Sequence, residues 1–317
     1  MTLLPYPITK ILLPYDGSQS ARNALELAAQ LSIAGKEAVK GLTLLQIIGG
    51  SYLARHIHNV DLRVTRMDKD KDWQRIRKRY VEGEVLPLLE EGKKILQSLG
   101  VQAPIEVRIV EGKVSDEIIR LAQEEAFSTI IMGRRGLSPL QAMLLGSVTR
   151  SVLSLAQGVT VYVAAQEATP RAGCPISPML LPLDGSESSL AAVRQAAALA
   201  QAFRPMAPSL TLFHVIDIAL MGMKIHEGPN ALVEEGEKIL AVARGILQEA
   251  GLEGCWEEKL VSGQPAQAIV QQAEEGGYPL ILMGSRGLSG LAKLLIGSVT
   301  NSVVHTVFRA AVAVVYD

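Results

Sequence analysis

The sequence predicts an α/β protein built as two tandem domains, each an open, doubly wound, five-stranded parallel sheet. Three observations predict it. The chain repeats itself, short apolar runs of strand length alternate with helix-period segments in both copies, and the first apolar run of each copy is broken by Asp-Gly-Ser.

The repeat is read directly. "ILLPYDGSQSARNALELAAQLS" near the start matches "MLLPLDGSESSLAAVRQAAALA" from Met179, and "IIMGRRGLSPLQAMLLGSVTRSV" matches "LILMGSRGLSGLAKLLIGSVTNSV". Between Gly136 and Val152, 11 of 17 residues equal their counterparts. The offset between copies is 168 at Asp16 and Asp184 but 151 at Gly146 and Gly297, so the first copy carries about 17 extra residues. The charged segment Ser51–Tyr80, poor in apolar periodicity, is the predicted insertion: an exposed excursion, partly helical, whose basic stripe Arg75–Arg79 reads as a solvated helix face. Pro170, Gly173, Pro175 and Pro178 exclude a continuous helix or strand between Ala164 and Pro178. The boundary is placed near Thr169, giving domains 1–168 and 177–317.

Within each copy the elements follow in order. "KILLP" and "PMLLP" are the first strands; Ser18 and Ser186 are N-cap residues for the helices that follow. Ala21, Ala24, Leu25, Ala28 and Leu31 share one face of the first of these helices. "LTLLQII" and "LTLFHVI" are second strands. Helices over Val81–Leu99 and Glu234–Ala250 end at Gly100 and Gly251, where a C-cap glycine belongs. "IEVRIV" and "WEEKLV" are third strands, followed by helices from about Ser115 and Pro265. "TIIMG" and "LILMG" are fourth strands, helices follow Ser147 and Ser298, and "VTVYVAA" and "AAVAVVY" close the copies. Short buried strands alternating with helices mean a parallel sheet covered on both faces. Such sheets take ligands beyond the carboxyl ends of their strands, where the winding reverses. If the first and fourth strands flank that point, Asp16 meets Gly133 there, and Asp184 meets Gly284.

Composition narrows the function classes. Apolar residues make up 48% of 317 residues, enough for packed cores, and aromatics only 4%, so the cores are aliphatic. With 31 basic and 32 acidic residues the net charge is -1, which gives no electrostatic reason to expect nucleic acid or a membrane as partner. The start lacks a basic n-region and carries prolines where a signal helix would run. The longest uncharged stretch, between Arg150 and Glu167, is interrupted by polar residues. A soluble, cytoplasmic protein is expected. Cys174 and Cys255 lack partners at metal-ligand spacing and read as two thiols rather than a disulfide. His56, His58, His214, His226 and His305 assemble neither a Ser-His-Asp triad nor a metal cluster; His214, between Phe213 and Val215, reads as a satisfied, half-buried strand residue. No catalytic and no metal-ligating residue is assigned.

The chemistry sits in the glycines. Gly133-x-x-Gly136 is followed after nine residues by Gly146-Ser147; Gly284-x-x-Gly287 is followed, again after nine, by Gly297-Ser298. Glycine reaches φ > 0 and lets the backbone approach a ligand closely. Amides at a helix start point outward with the positive end of the helix dipole behind them. Ser147 and Ser298 can add a hydroxyl donor. The result is an anion cradle of phosphate size. A single Gly-x-x-Gly would read only as tight turns and caps; the full spacing, twice, after an apolar strand and before an amphipathic helix, reads as phosphate binding. Asp16 and Asp184 either cap their own turn or accept hydrogen bonds from a base or sugar. Arg134, Arg135 and Arg286, inside the turns, either pair with phosphates or face water.

These residues, "LLPYDGS" with its downstream Ala, "IIMG", Gly-x-x-Gly-x9-Gly-Ser and the trailing "SVTRSV", resemble the ATP-binding kind of universal stress protein. The resemblance spans both copies apart from Ser51–Tyr80 and the joint. It implies a Rossmann-like sheet of strand order 3-2-1-4-5 with ATP at the switch point. Asp16 and the backbone of Ile47 would hold the adenine edge beside Pro14; Asp184, Val215 and Pro182 match them in the second copy. Gly133, Gly136, Gly146, Ser147 and Val148 would surround ribose and phosphates, as would Gly284, Gly287, Gly297, Ser298 and Val299. A divalent ion such as Mg2+ would ride on the phosphates rather than on protein ligands. The family also pairs its fifth strands antiparallel, so Thr160–Ala165 and Ala311–Tyr316 would make a pseudo-dimer within one chain, and two chains could associate further as a homodimer. The sequence departs from the family at Ser128 and Pro279, where Asp is common; at "AQGVTV" and "FRAAVAV", where Cys-Pro-Val is common; and at Gln46, where His is common and is kept as His214.

Three functions are consistent with these readings: a regulatory nucleotide-binding module with slow or no turnover; an ATPase or nucleotidyl-transfer enzyme, against which stand the lack of GxxxxGK[ST], of His-x-Gly-His after strand one and of a placed general base; and a partner- or ligand-binding module, acting through Ser51–Tyr80, whose loops are vestigial.

Overall fold

The structure is a computed structural model that describes residues 3–49, 69–136, 145–167, 173–219, 229–287 and 296–316. The first copy contributes β1 (Lys10–Pro14), α1 (Gln19–Gly35), β2 (Gly41–Ile48), α2 (Lys69–Tyr80), α3 (Leu86–Ser98), β3 (Ile105–Glu111), α4 (Val114–Glu124), β4 (Thr129–Met132), α5 (Ser147–Leu155) and β5 (Thr160–Val163). The second contributes β6 (Met179–Leu183), α6 (Glu187–Ala202), β7 (Leu210–Asp217), α7 (Pro229–Glu249), β8 (Trp256–Gly263), α8 (Pro265–Glu275), β9 (Leu280–Gly284), α9 (Ser298–Thr306) and β10 (Ala311–Val315).

All ten strands form one sheet, in the order β3-β2-β1-β4-β5-β10-β9-β6-β7-β8. Each half is parallel throughout and has the order 3-2-1-4-5. The halves join where β5 runs antiparallel to β10, with Tyr162 opposite Ala313. That pairing removes two edges that would otherwise expose unpaired backbone groups.

Strand residues alternate between the faces, so Ile11 and Leu13 enter one core and Leu12 the other. The first core lies under α1, α3, α6 and α7, the second under α4, α5, α8 and α9, and each runs through both halves. Ser18 and Ser186 cap α1 and α6 as predicted, accepting from the amides of Ala21 and Ser189. Gly100 and Gly251 take φ of 96° and 68°, the left-handed backbone that ends α3 and α7. Both cysteines are free thiols.

One helix begins well before its predicted start. The run expected from Val81 begins at Lys69, as α2, and passes through a π turn at Val81–Val85 into α3. The segment was expected to be partly helical, but its charged side chains blur where the helix starts: Lys78 reaches Glu82, Arg77 reaches Glu111, and Tyr80 is buried. The π turn sits just ahead of Pro87, which has no amide for the ordinary i→i-4 bond, and the amide of Leu86 bonds the carbonyl of Val81 instead. The helix expected from Glu234 likewise starts at Pro229. Residues 51–68 of the insertion, the boundary near Thr169, and His56, His58 and His226 lie outside the described residues.

The joint carries a buried polar link that the repeat does not duplicate. Gln195 of α6 donates to the hydroxyl of Tyr162 at 2.6 Å and accepts from Thr160 at 3.0 Å, while its counterpart in α1 is Leu27. Tyr162 is fully buried, and burial pushes its phenol up. Gln195→Ala leaves that hydroxyl without a partner and is expected to cost about 2 kcal/mol, read as a lower denaturation midpoint at unchanged slope. An unchanged midpoint would mean that the joint does not depend on this link.

Candidate functional site

The winding reverses between β1 and β4 and between β6 and β9, so each half opens a crevice beyond the carboxyl ends of these pairs. The Asp-Gly-Ser turn forms one lip. Gly17 and Gly185 sit at φ of 76° and 83°, which a residue with a side chain would resist. Asp16 Oδ1 accepts from the Ser18 amide at 3.1 Å, and Asp184 Oδ1 from the Ser186 amide at 3.0 Å. The carboxylate therefore caps its own turn, and its second oxygen faces the opposite lip. A Cβ on Gly136 would lie 2.4 Å from Asp16 Oδ2, and one on Gly287 2.5 Å from Asp184 Oδ2.

The opposite lip is the Gly-x-x-Gly turn, and three sets of bonds fix it. Ser20 Oγ accepts from the Arg135 amide at 3.2 Å, and Ser188 Oγ donates to the Arg286 carbonyl at 2.7 Å. Thr149 donates to the Gly133 carbonyl at 3.0 Å, and Thr300 to that of Gly284 at 2.8 Å. The amides of Gly146 and Gly297 bond the carbonyls of Arg134 and Ser285, both at 2.8 Å. These serines and threonines were not singled out from the sequence. Their signal was available, because Asp-Gly-Ser-x-Ser and Gly-Ser-Val-Thr recur in both copies.

The loop glycines play a different part from the one expected. None of Gly133, Gly136, Gly146, Gly284, Gly287 and Gly297 uses a positive φ. Gly133 and Gly284 are needed by the protein itself: a Cβ there would lie 2.6 Å from the Ser20 backbone and 2.7 Å from that of Ser188 and Ser189. Gly146 and Gly297 are N-caps without a side chain to satisfy the first turn. The first amides to bond within α5 and α9 are those of Arg150 and Asn301. Among the described residues the amides of Ser147, Val148, Ser298 and Val299 have no acceptor.

In the second half the expected residues converge. Pro182, Asp184, Val215, Gly284, Gly287, Gly297, Ser298 and Val299 all line one cavity of about 390 Å³. Phe213, Ile239, Ile269 and Met283 give it an apolar wall, and Asp217, Glu235 and Arg286 add charge. The sequence did not single out these wall residues: α7 and α8 bring in Ile239 and Ile269, and β7 and β9 supply Phe213 and Met283, all from places that look like ordinary core. His214 reaches the cavity too, with Nδ1 2.7 Å from the Leu183 carbonyl, the satisfied strand histidine that was expected. In the first half Asp16 meets Gly136, Gly146 meets the Arg134 carbonyl, Ser147 and Val148 open α5, and Pro14 and Ile47 stand at the carboxyl ends of β1 and β2. The halves differ at Tyr15 against Leu183, Gln46 against His214 and Gly49 against Asp217.

Arg134 overturns both readings offered for it. It meets neither water nor the crevice: its exposure is 1%, and its guanidinium donates to the carbonyls of His305, at 2.9 Å, and Val307, with the Phe308 ring 4.7 Å away. Burial, and less so the Arg135 charge, pushes its pKa down to about 10, so it stays cationic at neutral pH.

Among the described residues no cluster of three metal-ligating side chains occurs, and no helix is long and apolar enough to cross a membrane.

The model of the universal stress protein family matches the chain twice, over residues 7–163 and 175–315. A relative from Bacillus subtilis, universal stress protein YxiE, is 34% identical over 137 residues, 39% of this chain and 89% of its own length. The Mycobacterium tuberculosis universal stress protein Rv1996 is 25% identical over 234 residues, 72% of this chain and 71% of its own. A crystal structure of a universal stress protein from Archaeoglobus fulgidus covers 99% of both chains at a TM-score of 0.65 and 22% identity, a likeness of fold.

Proposed function

The chain belongs to the universal stress protein family, and from that premise we propose that each half holds an adenine nucleotide, ATP foremost, as a regulatory module with slow or no turnover. One observation carries the reading: in the second half, the eight residues expected from the glycine spacing and the family resemblance line a single cavity, and the amides of Ser298 and Val299 at its edge have no acceptor among the described residues. About 390 Å³ is within the usual range for a small-molecule site. The apolar wall suits the flat face of a base. Unpaired amides at the start of α9 suit an anion, with the helix dipole behind them. Asp184 can accept from a sugar or base through the oxygen that its own turn leaves over. Phosphates bound there would themselves hold a divalent ion such as Mg2+.

The proposal extends to the first half through the same frame around Asp16, Gly133, Gly136, Gly146, Ser147 and Val148, with Pro14 and Ile47 on the adenine side. The domain division 1–168 and 177–317 belongs to the same proposal: one site per unit, joined through β5 and β10. Denaturing the purified protein and identifying the released small molecule by mass tests it, together with titration of the stripped chain with ATP. Recovery of an adenine nucleotide, or uptake of two ATP per chain, is expected. A stripped chain with no affinity for ATP would sink the reading, and multiple-turnover phosphate release would move the function to an enzyme.

A further inference from the structure

We infer that the two sites are wired unequally, with Arg134 of the first glycine turn positioning the helix that forms the anion end of the second site. This inference rests on the nucleotide reading above and goes on to its regulation.

The connection is short and made of named contacts. Arg134 belongs to the Gly133–Gly136 turn; its carbonyl accepts from the Gly146 amide at the start of α5 and lies 3.3 Å from the Thr149 hydroxyl. Its side chain leaves that turn, crosses the joint and donates to the carbonyls of His305, in the last turn of α9, and Val307, the residue that caps it. A cation on the final carbonyls of a helix matches the helix dipole. The opposite end of α9 is Gly297-Ser298-Val299, at the second cavity. With nine residues, α9 is about 13 Å long, a rigid rod between the two loops. A shift of the first turn on taking up an anion therefore moves the group that anchors the far end of the second site's helix. The segment after α9 is held from the first half as well, since the Gln166 amide bonds the Phe308 carbonyl at 2.9 Å.

The return path is not equivalent. The position matching Arg134 is Ser285, 1% exposed, whose hydroxyl has no hydrogen-bond partner among the described residues, and the position matching Phe308 is Gln157. Towards α5 the second half offers the Tyr316 hydroxyl, which donates to the Leu153 carbonyl from beyond β10 rather than from the second glycine turn. A buried cation fixed to two carbonyls transmits displacement better than a neutral phenol on one. Occupancy of the first site therefore acts on the second more strongly than the second turn acts on α5.

The test isolates the first site. Gly297 has φ -60° and ψ 150°, which valine accepts, and its Cβ would have ordinary contacts at 3.4 Å and beyond, so Gly297→Val folds while blocking the second site. In that chain, native mass spectrometry counts bound ATP and hydrogen exchange follows residues 303–307. One ATP bound is expected to slow exchange there about fivefold, the low end of ordinary intersite coupling. Arg134→Met in the same background is expected to bind one ATP and lose the effect. If that variant does not fold, Arg134→Lys, one ammonium for two carbonyls, is expected to cut the effect at least by about half. One ATP bound with no change at 303–307, or an effect undiminished without Arg134, overturns the coupling and leaves the nucleotide reading standing. A chain that takes up no ATP removes both.

Discussion

Gly284→Val is expected to unfold the second half at a markedly lower denaturant concentration, a loss of about 3 kcal/mol or more, whether or not any ligand is present. At the end of β9 a Cβ would sit 2.7 Å from the backbone of Ser188 and Ser189 and 2.4 Å from Ser188 Oγ. Backbone at the start of a helix cannot step aside as the tip of a long side chain can. The strand end must then part from α6, which is capped by Ser186 and carries Ser188 and so fixes both lips of the crevice. Overpacking of this kind typically costs about 1–3 kcal/mol, and valine adds two methyls beyond the clashing atom. Gly133→Val, 2.6 Å from the Ser20 carbonyl group, is expected to act likewise in the first half. Chemical denaturation followed by circular dichroism checks this. A midpoint within error of the parent would show that strand and helix are not locked together here, and that these glycines are free to serve a ligand instead.

What the sequence made legible follows from the range over which each feature is determined. Strands such as Lys10–Pro14 and Met179–Leu183 are short apolar runs followed by Asp-Gly, a signal complete within eight residues. The caps at Ser18 and Ser186 are as local. The repeat then showed which features recur, and the strand order and the β5–β10 joint came from family resemblance rather than from the residues alone. Helix α2 was foreseen only as part of a partly helical excursion, because eight of the twelve residues of Lys69–Tyr80 are charged and no apolar stripe in the sequence marks where the helix begins. Arg134 escaped for a different reason. A cation between two glycines of a phosphate-type loop invites a phosphate, and nothing nearby reveals partners 171 and 173 residues away. Ser128 shows a substitution that geometry explains. Where the family commonly has Asp, its hydroxyl accepts from the amides of Thr9 and Lys10 and joins the start of β4 to β1, a task any short oxygen-bearing side chain can perform.

Gly297→Val separates a glycine that serves the ligand from one that serves the fold. Its backbone suits valine, and its Cβ would lie 3.4 Å from the Ser285 carbonyl oxygen and 3.6 Å from the Gly287 amide, so stability should change little. The added methyls must nevertheless stand between the second glycine turn and the unpaired amides of Ser298 and Val299, where the proposed phosphate would lie. A loss of about 2–4 kcal/mol in ATP binding at that site follows, a factor of about 30 or more, so that titration should find one strong site instead of two. Gly146→Val is expected to do the same to the first site with some added loss of stability, since its Cβ would lie 3.1 Å from the Arg134 carbonyl and the turn must yield by a few tenths of an ångström. Together with Gly284→Val the set forms a contrast: one glycine lost to the fold and one to the ligand within a single loop. If Gly146→Val and Gly297→Val each still take up two ATP at parental affinity, the amides at the starts of α5 and α9 are not the anion sites, and the nucleotide, if any binds, is held elsewhere.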